Sequence, residues 1–235
     1  MPYAVFEPMR AAYEHRPFQG KVPEDAKIFF FGIDANYDAN IAEEFLNILR
    51  QYHENGVAYW LDNWQNNNNN NHHPFLRPEY GQGAGYVYHS TFRMMNLPAN
   101  LCAEAISFVE LLNVPTIGKR DEDPNNLFEQ LLQNSLEHGH IERLQNSIFN
   151  GQNKLVFMPN EVIENLRRIN GQTGLFHGLN YAFMKACGLP VIYSNPDSNV
   201  TVRKNLHFSA RFHRTEVLAQ LPVIKQSILD FLAGL

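Results

Sequence analysis

The run KIFFFGID at residues 27–34 constrains the fold more than any other stretch of the chain. Its apolar residues do not alternate with polar ones, so as a strand it must be covered on both faces. It is also too short for a buried helix, which needs roughly 10–12 residues. Two similar runs follow, ISFVELL at 106–112 and KLVFM at 154–158, and a fourth strand is expected at 190–194 or at 205–208. Between them lie stretches with helical spacing, at 40–54, 126–137, 141–149, 161–169 and 215–232, with shorter ones at 90–97 and 179–186. Alternating strands and helices favour crossover connections. The expected fold is therefore a three-layer α/β/α sandwich on a four-stranded, mainly parallel sheet, formed as a single domain over 1–235. Within it, residues 62–85 carry six consecutive asparagines, Asn66 to Asn71, followed by His72 and His73. This polar stretch reads as a low-complexity surface loop.

Composition narrows the class. With 235 residues, 44% of them hydrophobic, the chain can bury one sizeable core, and an 18% charged fraction excludes a disordered or coiled-coil chain. No apolar run is long enough to span a bilayer, and the opening residues lack the apolar core of a signal peptide. Cys102 and Cys187 are too few for a disulfide framework. These features predict a cytoplasmic, monomeric protein with two reduced thiols and no membrane partner. A net charge of −5 argues against broad phosphate binding. It leaves room for a local basic face from Lys119, Arg120, Arg203, Lys204, Arg211 and Arg214.

Ligands of open α/β sheets sit at the carboxyl ends of the strands, so the chemistry is sought there. Asp34 follows the first strand in a glycine-containing turn, where a carboxylate can orient water or cap the turn. Asn113 ends the second run; its amide can read a donor–acceptor edge or form an Asx turn into Pro115. His207 closes the last loop, where an imidazole can donate to an oxygen gaining charge or bond to backbone.

Taken in order, GIDANY (32–37), LLN (111–113), LVFMP (155–159) and HFSAR (207–211) resemble the motifs of the uracil-DNA glycosylase superfamily. The resemblance spans about 27–214. It implies a DNA N-glycosylase of base excision repair that flips out uracil or a related damaged or mismatched base, cleaves its glycosidic bond and releases the free base, with no cofactor or metal. It implies roles for residues as well: Asp34 and His207 catalytic, Asn113 reading the base, Ser209 gripping phosphate and Arg211 entering the stack. Tyr88 would stack on the base, with Tyr86 or Phe92 as substitutes, and Ile33 and an edge of Phe31 would touch it. Lys119 would join Ser209 and Arg211 on the DNA. Ala35, Phe208 and Ala210 stand where that family has prolines, so the loops are expected to differ in shape.

Two alternatives stay open. One is a binding protein of the same fold that has lost the reaction. The other is a Mg²⁺-dependent phosphate-ester hydrolase, with Asp34, Asn36 and Asp38 as oxygen ligands. His72-His73 and His138-Gly139-His140 lack further ligands at metal spacing and are expected at the surface.

Overall fold

The computed structural model describes the chain except residues 68–69 and 186–187. In chain order the elements are β1 (Ala4–Val5), α1 (Glu7–His15), β2 (Phe18–Gly20), β3 (Ile28–Gly32), β4 (Asn36–Tyr37), α2 (Glu43–Glu54), α3 (Gly56–Asn67), α4 (Tyr86–Arg93) and the single-turn α5 (Ala99–Cys102). Then come β5 (Ile106–Glu110), β6 (Thr116–Ile117), α6 (Leu127–Glu137), α7 (His140–Phe149), β7 (Lys154–Pro159), α8 (Asn160–Thr173), β8 (Val191–Asn195), β9 (Val200–Asn205) and α9 (Arg214–Ala233).

The fold is mixed α/β, and the main sheet is larger than the four strands expected. It runs β2-β5-β3-β7-β9-β8. The contacts β5–β3, β3–β7 and β7–β9 are parallel, whereas β2 and β8 flank them antiparallel. Of the two positions considered for a fourth strand, 190–194 is a strand, though antiparallel, and 205–208 is corrected. Val191–Asn195 is an antiparallel edge, and the parallel strand is Val200–Asn205, just before 205–208. A turn joins them, in which Asp197 N–H donates to Asn195 Oδ1 at 3.1 Å and Asn199 adopts φ 51°. A short Asx turn of this kind makes a hairpin where an apolar run does not announce one.

Alternation along the central strands divides the core between the two faces. Phe29, Phe31, Val109, Val156 and Met158 pack with α6, α7 and α8. Ile28, Phe30, Phe108, Leu155 and Phe157 pack with Trp60 of α3, Phe92 of α4 and the apolar side of α9. Phe30 is the hub of the second face, with ring centroids 5.1 Å from Phe92 and Phe157 and 5.7 Å from Phe208. Such aromatic pairs add about 0.5–1.5 kcal/mol each beyond area burial, and this cluster anchors the loop that carries His207. A small second sheet, β1-β6-β4, lies at the carboxyl end of β3.

The stretch expected as a surface loop is largely part of the body. Helix α3 continues into it as far as Asn67, and residues 71–76 are buried. The asparagines are used individually: Trp60 Nε1–H donates to Asn70 Oδ1 at 2.7 Å, and Arg93 donates to Asn71 Oδ1 at 2.9 Å. His72 and His73 are buried, not superficial, and so is His140. Residues 181–185 form a 3₁₀ turn instead of a longer helix, and the expected end of that helix at Ala186 lies outside the described residues. Cys102 is a buried thiol; Cys187 lies outside the described residues. Among the described residues no helix is long and apolar enough to cross a membrane.

Candidate functional site

A cavity of about 170 Å³ opens at the carboxyl ends of the parallel strands. Asp34 lies two residues past β3, Glu110 ends β5, Glu161 opens α8 behind β7, and His207 lies two residues past β9; all four line it. Tyr88 and His89 of α4, Phe75, Phe108 and Gln19 form its other side.

Asp34 is held by the small sheet. The hydroxyls of Tyr3, just before β1, and Thr116, in β6, both donate to Asp34 Oδ2, at 2.7 and 2.6 Å. Its Oδ1 has no hydrogen-bond partner among the described residues and is available to a water or ligand. Burial and the adjacent Asp34 push the Tyr3 phenol well above its usual range, so Tyr3 stays a hydrogen donor.

His207 is oriented from the opposite side. Ser209 N–H points at Nδ1 at 3.4 Å, and Ser209 Oγ lies 2.7 Å from the same nitrogen. An Nδ1 that accepts must be unprotonated, so we assign the proton of the neutral ring to Nε2. Burial lowers the His207 pKa and favours that neutral form. The adjacent Phe208 is fully buried against Phe30. Packing of that aromatic ring thus fixes the loop where a proline would do so through its φ.

Glu110 differs from both. Its partner in the β3–β5 register is Gly32. A Cβ built on Gly32 would stand 1.9 Å from Glu110 Oε2, so only glycine leaves room for the carboxyl. Oε2 is sealed from solvent and has no hydrogen-bond partner among the described residues. Burial first, then the Asp34 charge, pushes this carboxyl well above the usual carboxylate range.

The wall opposite the strand ends is a polar network among aromatics. His73 Nδ1 accepts from Phe75 N–H at 3.1 Å, so its proton is on Nε2, which donates to Gln19 Oε1 at 3.0 Å. Gln19 donates in turn to Tyr13 OH at 2.8 Å, and Tyr13 OH lies 3.1 Å from Tyr37 OH. The His73 and His89 rings stack at 3.7 Å, and His72 Nε2 lies 3.0 Å from His89 Nδ1. Burial drives the His89 pKa down to about 3 and those of His72 and His73 well below normal, so all three are neutral.

Of the residues singled out in the sequence, Asp34, His207, Tyr88, Ile33 and Ser209 line one cavity. Asn113 does not. Buried Leu111 and Leu112 carry the chain past the strand end, and Asn113 Oδ1 accepts from Ser135 Oγ at 3.0 Å in a separate groove. Phe31 points to the other face of the sheet and is buried in the core, as alternation from Gly32 requires. Arg211 is exposed beyond the cavity, and Lys119 pairs with Glu122 at 3.2 Å. The basic face is mostly committed elsewhere: Arg120 pairs with Glu161, Arg203 donates to Leu189 O, Arg214 donates to Thr91 Oγ1, and Lys204 is buried. Asn36 and Asp38 do not converge with Asp34 on a cation position. Asn36 Nδ2 donates to Thr116 Oγ1 and Gly118 O, while Asp38 Oδ1 accepts from Asn40 N–H. Among the described residues no three His, Cys, Asp or Glu side chains are grouped as a metal site requires.

Sequence reading missed Glu110 and His89. Glu110 is the single charged residue in the run ISFVELL, and a carboxyl in an otherwise buried strand end was the available signal. His89 gave none, because it is one of ten histidines. No family model, curated protein or solved structure matches the chain.

Proposed function

We propose that the protein is a DNA glycosylase-like hydrolase that receives a flipped nucleobase and cleaves its N-glycosidic bond. The supporting observation is that Asp34, with Oδ1 free, and His207, with Nε2–H assigned, line the same cavity. At about 170 Å³ the cavity is smaller than the roughly 300–1,000 Å³ of pockets for drug-sized ligands, which favours a single ring system. The three-layer sandwich of the uracil-DNA glycosylase superfamily is part of this proposal, with two antiparallel edges added to its parallel strands.

In this reading Asp34 Oδ1 orients a water toward the sugar and offsets the positive charge that develops there. His207 Nε2–H donates to an oxygen of the departing base. Tyr88 and Phe108 supply flat apolar surface that offsets part of the few kcal/mol needed to unstack the base. With Asn113 in another groove, the edge of the base meets Glu110 and His89. The side chain entering the stack is Phe212 in place of Arg211: it is fully exposed and three residues beyond Ser209, as an apolar wedge requires.

The test is base release from oligonucleotides containing uracil, hypoxanthine or a mismatch. Asp34→Asn should lower release by about 10²–10⁴-fold, the usual contribution of a positioned base, while duplex binding changes little. Unaltered turnover would remove Asp34 from the reaction. Ala35, Phe208 and Ala210 in place of loop prolines, and the net charge of −5, favour a second reading, a binding protein without the reaction. Duplex binding with no base released from any substrate would establish that reading instead.

A further inference from the structure

We propose that Glu110 is a general acid that delivers a proton from Oε1 to the departing base. This assignment rests on the glycosylase reading and names the class of base that the site favours. The geometry carries it. The carboxyl stands over Gly32 and lines the cavity with Oε2 enclosed, so Oε1 is the oxygen left to meet a ligand.

Asp34 and Glu110, two of the three carboxyl groups of the cavity, have opposite surroundings. Asp34 accepts from the hydroxyls of Tyr3 and Thr116. Glu110 Oε2 has no donor among the described residues, and an enclosed anion without donors is costly. Burial and then Asp34 raise the Glu110 pKa; Arg120 opposes them as a lesser cause and is already paired with Glu161. Tyr13, Tyr37 and Tyr88 beside it are raised by burial, and His89 and His140 are lowered by it, so all of these groups are neutral. One carboxyl held by donors and one enclosed without them are suited to divide base and acid work between them.

The step balances without an oxidant or reductant. The C1′–N bond breaks and its electron pair goes to the base. The Glu110 proton passes to a ring nitrogen or carbonyl oxygen of that base. A water oxygen bonds to C1′, and the proton lost from the water goes to Asp34, from which it returns through solvent to Glu110. The products are the neutral base and the hydroxylated sugar. An acid matters most for bases that leave poorly as anions, so the favoured class is hypoxanthine and other basic purines ahead of uracil.

The experiment is single-turnover base release by wild type, Glu110→Gln and Glu110→Asp from oligonucleotides graded by leaving group: 5-fluorouracil, uracil and hypoxanthine. Glu110→Gln keeps the shape and cannot give up a proton. It should lose about a hundredfold or more on hypoxanthine and progressively less toward 5-fluorouracil, and Glu110→Asp should recover part of the loss on hypoxanthine. Melting temperatures of all three proteins are measured alongside. An equal loss on every substrate, which a folding defect or a positioning role produces, overturns the assignment, as does no loss at all. If wild type releases no base from any of the three, the glycosylase reading falls and takes the acid with it. If wild type is active and only the gradient is missing, the acid alone falls.

Discussion

The two walls of the cavity are made differently. On one side, functional groups stand at the ends of parallel strands: Asp34, Glu110 and His207, each placed by a ladder that extends into the core. On the other, α4 and the 71–76 segment bring in aromatic rings and neutral histidines held by a chain of hydrogen bonds from His73 through Gln19 to Tyr13. The strand side carries groups that can hold a charge or move a proton. The helical side excludes water and stays uncharged, which strengthens every electrostatic interaction opposite it.

That contrast can be broken on either side. The largest effect is expected on the strand side. His207→Ala removes the Nε2–H donor and should lower base release roughly a hundredfold or more with little change in melting temperature; a change below about threefold would mean that the donor is elsewhere.

On the helical side the expected effect is on stability and its pH dependence. His53, pushed down to about 4 by burial, joins His72, His73 and His89 as groups that stay neutral when folded. Below about pH 6.5 the unfolded chain takes up protons at these positions and the folded chain does not. Their contribution, complete above that pH, is therefore lost as pH falls, by up to about 1.4 kcal/mol per pH unit for each group. Glu110 works the other way, since its raised pKa adds stability that fades as pH rises above its unfolded value, but it is one group against these four and against His140 and His207, which burial also lowers. Melting temperature should drop from pH 7 to pH 5, and His89→Phe should make that slope shallower. A flat profile would show that the histidines are solvated.

The smallest effect is expected from Asn113→Ala. Only the bond from Ser135 Oγ to Asn113 Oδ1 is lost, about 0.5–1.5 kcal/mol in stability, and the choice among bases should not change. A shift in base preference would return Asn113 to the site and blur the contrast between walls.

The strand wall was the legible one. Unbroken apolar runs announced β3, β5 and β7, and the rule placing ligands at their carboxyl ends led to Asp34 and His207. It failed at Asn113 because β5 ends at Glu110, three residues short of the amide that attracted attention. Strand β9 was obscured because its exposure alternates and Arg203 and Lys204 interrupt it. The helical wall was hidden by composition. The asparagine run suggested a loose surface segment, yet Asn70 bonds to Trp60 and Leu97 O, and Asn71 bonds to Arg93. Burial of His72 and His73 depends on rings from α4 and β5, distant in sequence, and no local pattern encodes it.

The clamp on Asp34 draws together widely separated parts of the chain. Its donors come from residues 3 and 116, and the imidazole across the cavity comes from residue 207. A chain that stops before β9 contains both donors to Asp34 and still lacks the imidazole that faces it. The two sides of the cavity therefore meet only when segments some two hundred residues apart are in place.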